Sequence, residues 1–250
     1  MKEYLVGMPS PTEQTRFIPA HMMYCIRDGR LLRERSLLSL HGGLMAVGRV
    51  TGALPDASAL ADQLVRECLR LDFSGVLLAL PPVPTTPCAK LAEAVAKRCA
   101  AKRLNAYLPM TYASFAPEAR LLVPGMIAAG SFFEYLRALC QKHGGAQLAL
   151  ELCCEALDFS MPVDHTPGKY LPPDALHSLL DATGAMTFYS SALCCNYFTY
   201  ADAQGQTHFV VFDTAESLRS KRDVARTVGL DAVFYLIPPG NEHALSKLER

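Results

Sequence analysis

Short apolar segments alternate with longer amphipathic segments along most of the chain. The short segments have the length of β-strands, and several alternate apolar and polar residues with the period of two that is typical of a strand. This pattern predicts eight main strands. They are Tyr4–Met8, His21–Ile26, Leu44–Val50, Gly75–Leu80, Asn105–Met110, Leu121–Ile127, Gln147–Cys153 and Ala232–Ile237.

In the longer segments, apolar residues recur every three or four positions, which places them on one face of a helix. Leu60, Leu64 and Cys68 illustrate this spacing. Ser131 with Glu134 indicates a capping box, and Asp213 or Thr214 can cap the last helix. The predicted helices are Ala57–Leu71, Pro87–Lys102, Ser131–Lys142, Asp174–Asp181 and Ala215–Val228.

Strands that alternate with helices indicate a parallel sheet. Eight strands in 250 residues match a (β/α)₈ TIM-type barrel of the α/β class. The alternative is a doubly wound open sheet, which normally carries a glycine-rich phosphate turn after an early strand. The sequence contains neither G-x-G-x-x-G nor a Walker motif, so the barrel is favoured.

One region departs from this alternation. Met186–Ser190, Tyr197–Tyr200 and His208–Phe212 are strand-like and close together, and the segment Asp202–Gly205 between the last two is typical of a turn. We therefore predict one barrel domain over residues 1–250, with an antiparallel insertion at 186–213 before the last βα unit.

Composition and charge narrow the function classes. The chain has 24 basic and 24 acidic residues, so its net charge is zero and a nucleic-acid partner is not expected. Half of the residues are hydrophobic, yet no run is long enough to span a membrane, and the N-terminus lacks the apolar core of a signal peptide. We expect a cytoplasmic protein that uses no cofactor and contacts no membrane.

The nine cysteines are expected to be reduced thiols, most of them in the core. Cys153-Cys154 and Cys194-Cys195 are adjacent pairs. Zinc sites usually separate their cysteines by two to four residues, and neighbours on a strand point to opposite faces. The spacing therefore predicts no metal site.

Several segments, in order, resemble the glycoside hydrolase family 18 barrel, in particular its bacterial spore and peptidoglycan branch. His21–Tyr24 with Asp28–Leu31 resembles the second strand of that family and its turn, and Leu44–Gly48 its third strand. Phe198–Gly205, with His208–Asp213, resembles its insertion hairpin. Ser217, Lys221 and Gly229-Leu230 then resemble its last helix and strand. This resemblance implies a barrel fold and a spore-related, glycan-directed role.

The segment Phe73–Pro81 is similar to the fourth strand of the family, Phe-Asp-Gly-Ile-Asp-Leu-Asp-x-Glu, whose Glu is the general acid. The apolar framework is retained, and no Asp or Glu occurs between Asp72 and Glu93. Neither Pro nor Ala has a proton to donate to a leaving oxygen. The acidic positions of the family motif are occupied by Ser74, Leu77, Ala79 and Pro81.

The resemblance extends to two further positions. Met110–Ala113 is similar to a Met-x-Tyr-Asp motif of the family, with Ala113 in place of the Asp, although this segment fits the fifth strand equally well. Leu236 stands where the family has a Trp on its pocket floor, and the chain contains no Trp at all. Tyr112, Tyr189 and Leu236 are the ligand-binding candidates, because Tyr can stack on a sugar or a peptide.

Three acids remain as catalytic candidates. Alternation in Gln147–Cys153 predicts that Glu151 points into the barrel near the carboxyl end of its strand. Glu155 and Asp158 follow in a predicted loop, and a pair of carboxylates is the usual equipment for cleaving glycosides. A further pair, Asp164-His165, offers a base beside an orienting acid, but loop packing explains it equally well.

Three functions follow from these observations. The leading one is a catalytically inactive relative of the family 18 glycosidases that acts as a binding or scaffold protein for a glycan, a peptidoglycan fragment or a peptide. The second is a glycoside hydrolase with a relocated acid at Glu151. The third is a protein-interaction barrel whose mouth is filled by side chains.

Overall fold

The computed structural model describes residues 1–7, 17–34, 41–162 and 168–236, and within them the chain forms two compact units. The first unit comprises Met1–Val123, His143–Glu151 and Gly229–Tyr235. The second comprises Pro124–Lys142, Leu152–Val228 and the chain from Leu236. The prediction of a single domain over 1–250 stays a prediction, and each unit is described by itself.

The chain contains fourteen strands and five α-helices in its described part. The strands are β1 (Lys2–Gly7), β2 (Ile18–Arg27), β3 (Arg30–Arg33), β4 (Leu44–Thr51), β5 (Gly75–Leu78), β6 (Asn105–Pro109), β7 (Arg120–Pro124), β8 (Leu148–Cys153), β9 (Ala156–Ser160), β10 (Lys169–Leu171), β11 (Phe188–Ser190), β12 (Cys195–Ala201), β13 (Thr207–Phe212) and β14 (Ala232–Leu236). The helices are α1 (Ala57–Arg70), α2 (Thr86–Ala101), α3 (Phe132–His143), α4 (Pro173–Thr183) and α5 (Ala215–Thr227). None of these helices combines the length and apolarity of a membrane-crossing segment.

Eight strands close into a parallel barrel in the order β1-β2-β4-β5-β6-β7-β8-β14, and β14 pairs with β1 again. Each of the eight coincides with a predicted strand to within a few residues, which confirms the (β/α)₈ class. Between β2 and β4 the chain forms an extra strand, β3, which pairs antiparallel with β2. The hydrophobic pattern did not predict β3, because two of its four residues are arginines.

Helices α1 and α2 pack in one apolar cluster with strands β4, β5 and β6. The Asp56 carboxylate caps α1 by accepting a hydrogen bond from the Ala59 amide at 2.9 Å. Pro87 lies in the first turn of α2, where its missing N–H has no cost. One core cluster then joins apolar residues of both helices to Val76 and Leu78 of β5.

Aromatic side chains fill part of the barrel interior. The rings of Tyr4 and Phe234 stack with their centres 4.6 Å apart, and Tyr107 packs edge-on at 4.8 Å from Phe234. Two strands, β7 and β8, separate β6 from β14 in the sheet, so the rings of Tyr107 and Phe234 meet across the lumen. The interior at this level is a packed core, as expected for a TIM-type barrel.

The second unit contains a five-stranded antiparallel sheet in the order β10-β9-β13-β12-β11. Its strands β11, β12 and β13 confirm the antiparallel segment predicted before the last βα unit. The Gly205 amide bonds to the Asp202 carbonyl in the predicted β12–β13 turn. The sheet also includes β9 and β10, which were not predicted because polar residues interrupt their apolar pattern.

Candidate functional site

The four positions that the resemblance aligns with the acidic motif lie in strand β5 and directly beside it. The Ser74 hydroxyl donates to the Gly43 carbonyl oxygen at 2.8 Å, and Leu77 is 5% exposed. Ala79 is exposed just beyond the end of the strand, and its amide bonds to the Val47 carbonyl. Pro81 is half-buried. None of these four side chains can give up a proton to a leaving group at neutral pH.

The prediction extended β5 to Leu80, but the strand ends at Leu78. The Leu80 amide turns back to the Leu78 carbonyl at 3.0 Å, and Pro81 has no amide hydrogen to continue the ladder. At the start of the strand, a Cβ on Gly75 would overlap the Asn105 carbonyl oxygen. This close approach explains why the strand begins with glycine.

Tyr112 lies next to this strand end. Its side chain is fully buried, and its hydroxyl donates a hydrogen bond to the Pro81 carbonyl oxygen at 3.0 Å. Burial and the nearby Cys88 thiol raise the pKa of Tyr112 to about 12. The ring predicted as a stacking surface therefore packs inside the first unit and has no face open to solvent in this structure.

The other predicted ligand and acid positions differ in exposure. Glu151 is half-buried in β8, within the first unit. Leu236 is half-buried at the end of β14, and Tyr189 is 47% exposed in β11. The role of Glu151 as a relocated acid stays a prediction. Asp164 and His165 lie outside the described residues.

Asp158 was predicted in a loop, and this prediction is wrong, because Asp158 lies in the middle of β9. Its carboxylate accepts a hydrogen bond from the Tyr200 hydroxyl at 2.8 Å and contacts Nδ1 of His208 at 2.9 Å. Nε2 of His208 lies 3.5 Å from Asp202, and the rings of Tyr200 and His208 stack. We call these four residues the Asp158 network.

The Asp158 network is internally satisfied. Burial, followed by the Asp158 carboxylate, raises the pKa of Tyr200 to about 12, while the Gln206 amide leads the interactions that lower the pKa of Asp202. The Asp158 side chain is only 9% exposed. A carboxylate that is bonded to Tyr200 on β12 and to His208 on β13 is suited to stabilising the sheet more than to proton transfer.

A buried ion pair lies elsewhere in the second unit and was not predicted. Nζ of Lys221 is 2.7 Å from both carboxylate oxygens of Asp213, and the Ser217 hydroxyl donates to the same carboxylate at 2.7 Å. Burial raises the pKa of Asp213, and Lys221 and Ser217 oppose this shift. In the sequence, Asp213, Ser217 and Lys221 follow one another at intervals of four residues. This spacing indicates that their side chains lie on one side of the beginning of α5.

Glu155 lies beside this ion pair. It is half-buried between β8 and β9, and its carbonyl oxygen accepts a hydrogen bond from the Asp213 amide at 3.0 Å. Its negative charge contributes to the raised pKa of Asp213. Glu155 and Asp158 belong to the second unit and Glu151 to the first, so their action as a carboxylate pair stays a prediction.

All nine cysteines lie in the described part of the chain. Five of the nine cysteines are buried and four are half-buried. The described residues contain no group of three or more His, Cys, Asp or Glu side chains arranged to hold a metal ion.

The sequence matches no protein-family model and no curated protein. Solved structures do match. A chitinase from Chromobacterium violaceum is 15% identical with a TM-score of 0.63, and the match covers 100% of this chain and 99% of that one. A family 18 N-acetylglucosaminidase from Paenibacillus barengoltzii is 13% identical with a TM-score of 0.60, covering 94% of each chain.

The spore cortex-lytic enzyme SleL of Bacillus megaterium is also similar, with 13% identity and a TM-score of 0.56. That match covers 98% of this chain and 74% of SleL. At such identities the likeness shows a common fold. The chain therefore shares the barrel fold of chitinases and spore cortex-lytic enzymes.

Proposed function

We propose that this chain is a catalytically inactive relative of the family 18 glycosidases, and that it acts by binding a glycan or a peptidoglycan fragment. The observation that carries the proposal is the carboxyl end of β5. Hydrolysis of a glycosidic bond needs an acid that protonates the leaving oxygen. Ala79 and Pro81 occupy this end of the strand, and neither side chain is an acid.

The surroundings of β5 support the same conclusion. The Tyr112 hydroxyl donates its hydrogen bond to the Pro81 carbonyl oxygen. With a pKa raised to about 12, Tyr112 keeps its proton at neutral pH. The described residues at this strand end therefore offer no side chain that readily protonates a leaving oxygen, in agreement with a protein that binds without hydrolysis.

The test measures binding and turnover on the same protein. The purified chain is mixed with chitotetraose and, separately, with soluble peptidoglycan fragments. Titration calorimetry records binding, and mass spectrometry records cleavage products. We expect binding to at least one of the two glycans and no cleavage above a protein-free blank.

Two other outcomes would overturn the proposal. Cleavage that is lost in Glu151→Gln, and kept in the exposed control Glu118→Gln, would establish the relocated-acid hydrolase instead. If neither glycan binds or is cleaved, the glycan-binding role is wrong, and a protein-interaction barrel with a filled mouth is favoured.

A further inference from the structure

Three arginines share one face of the β2–β3–β4 region. Arg27, the last residue of β2, lies directly opposite Arg30 on β3 and opposite Thr51 on β4. Two residues earlier on β2, Cys25 lies opposite Arg49. Register partners and residues two apart point to the same side of a sheet. Arg27, Arg30 and Arg49 therefore form one surface, which we call the arginine face.

The opposite face of the same strands is buried. Ile26 belongs to the core cluster that includes helix α1, and Leu31 and Val50, its register partners, pack against that cluster. The three arginines point away from this cluster and are all exposed. Arg33 lies opposite Tyr24, which is on the buried side, and its charge acts there on Glu67. Arg33 is therefore not part of the arginine face.

The charges of the arginine face are uncompensated. Like charges directly opposite each other on paired strands destabilise the pairing, and such side chains begin about 5 Å apart. Within the described ranges, no ion pair involves Arg27, Arg30 or Arg49. In the same unit, by contrast, Arg98 pairs with Asp62.

In the described part of the chain, the carboxylate at the tip of this hairpin, that of Asp28, forms no ion pair with the three arginines. Asp28 is the first residue of the two-residue turn between β2 and β3, where Asp28 and Gly29 have φ values of 48° and 71°. Its Oδ1 lies against the backbone of Gly52, just after β4. The tight turn keeps Arg27 and Arg30 next to each other whether or not an anion is bound.

The arginine face lies at the end of the barrel where ligands bind in this fold. Arg27 ends β2, and Arg49 is two residues before the end of β4. The carboxyl ends of barrel strands form the mouth of a TIM-type barrel. A ligand in the mouth can therefore reach these guanidinium groups.

We propose that the arginine face binds the carboxylate groups of an acidic glycan, so that this barrel prefers a carboxylate-bearing glycan such as a peptidoglycan fragment over neutral chitin. This inference rests on the proposed glycan-binding function. A guanidinium group donates two parallel hydrogen bonds to a carboxylate, a geometry that lysine does not offer. Three arginines suit a ligand with a few carboxylates, whereas nucleic-acid binders commonly neutralise about six to ten phosphates.

The experiment compares ligands of equal sugar length. Titration calorimetry at low salt measures the binding of a peptidoglycan tetrasaccharide with its peptide carboxylates and of chitotetraose. We expect the acidic ligand to bind about tenfold tighter or more, as expected for one or two charge-assisted contacts. Its affinity is expected to fall as salt is raised, and the affinity for chitotetraose is expected to stay constant.

Variants assign the effect to the arginine face. The double variant Arg27→Gln/Arg30→Gln should lose most of the preference for the acidic ligand and retain binding to chitotetraose. Arg66→Gln, which removes an exposed arginine from α1, is the matched control and should change neither affinity. The thermal midpoint of each variant verifies that the barrel is folded.

Each remaining outcome is decisive. Equal affinity for the two ligands, unchanged by the double variant, would overturn the arginine-face inference and leave the glycan-binding function standing. Binding of neither ligand would overturn both. Tighter binding of a single-stranded oligonucleotide than of the acidic glycan, lost in the double variant, would show a nucleic-acid partner and overturn the carboxylate assignment.

Discussion

The Tyr112 hydroxyl donates a hydrogen bond to the Pro81 carbonyl oxygen across 3.0 Å, which joins the turn after β6 to the end of β5. Pro81 stands where the resemblance to family 18 places the general acid. The contact satisfies a buried tyrosine hydroxyl with a backbone group. The same contact holds the segment after β5, where the proposed function places the loss of catalysis, against the turn after β6.

Replacement of this hydroxyl tests its role. Tyr112→Phe should lower the free energy of unfolding by about 1–2 kcal/mol, because the Pro81 carbonyl loses its buried donor. Glycan affinity should not change, since the ring has no exposed face. Urea denaturation and calorimetry measure the two effects, with exposed Tyr170→Phe as control. Reduced glycan affinity at unchanged stability would restore Tyr112 as a ligand residue.

The Asp158 network predicts a stabilising role for this acid. Asp158→Asn should cost about 1–3 kcal/mol of unfolding free energy, because the amide cannot replace a carboxylate that accepts from both Tyr200 and His208. A double-mutant cycle with Tyr200→Phe, measured by urea denaturation, should show coupling between the two residues. Additive effects would contradict a direct contact in solution.

Because the pair of Lys221 and Asp213 is buried, removal of one charge should destabilise the protein more than removal of both. Lys221→Met should destabilise the protein by about 3–5 kcal/mol, because it leaves a buried carboxylate without its partner. Lys221→Met/Asp213→Leu should recover part of this loss, since no buried charge remains. Chemical denaturation measures both, and exposed Lys90→Met serves as control. A double variant no better than Lys221→Met would show that the charge is not the cause.

Because His21 is partly buried, the stability of the protein should depend on pH. Burial lowers the pKa of His21 below its ordinary value of 6.5, so the unfolded chain binds this proton more readily than the folded chain. The contribution of His21 to the free energy of unfolding is therefore complete above pH 6.5. It is lost as the pH falls from there toward the pKa of His21 in the folded protein. Denaturation at several pH values should show a slope in this window that His21→Asn reduces.

The matched control for this measurement is His177→Asn, because His177 is exposed on α4. That variant should retain the slope of the parent protein between neutral and mildly acidic pH. If both histidine variants behave alike, the pH dependence has another origin.

The strands and helices could be predicted well because their signals are local. The eight barrel strands are apolar over several consecutive residues, and each amphipathic helix repeats its apolar residues within one segment. β3, β9 and β10 were missed since a short strand with charged residues resembles a loop. Asp158 was placed in a loop for this reason, although its strand pairs with β13.

The candidate site depended on information of two kinds. The absence of acids between Asp72 and Glu93 is visible in the sequence, and so is the absence of Trp. The partners of Tyr112 and Asp158 are 31 to 50 residues away in the chain, so no local pattern reveals them. The arginine face was also not predicted, because a net charge of zero does not reveal how the charges are distributed over the surface.

The sequence by itself determined the barrel class, the order of its elements and the absence of acidic residues along β5, because periodicity and residue type are local properties. Only the tertiary structure decided which polar groups meet. Strand register brings Arg27, Arg30 and Arg49 onto one exposed face. Register also joins Asp158 to Tyr200 and His208, because hydrogen bonding between strands aligns residues that are far apart in the chain.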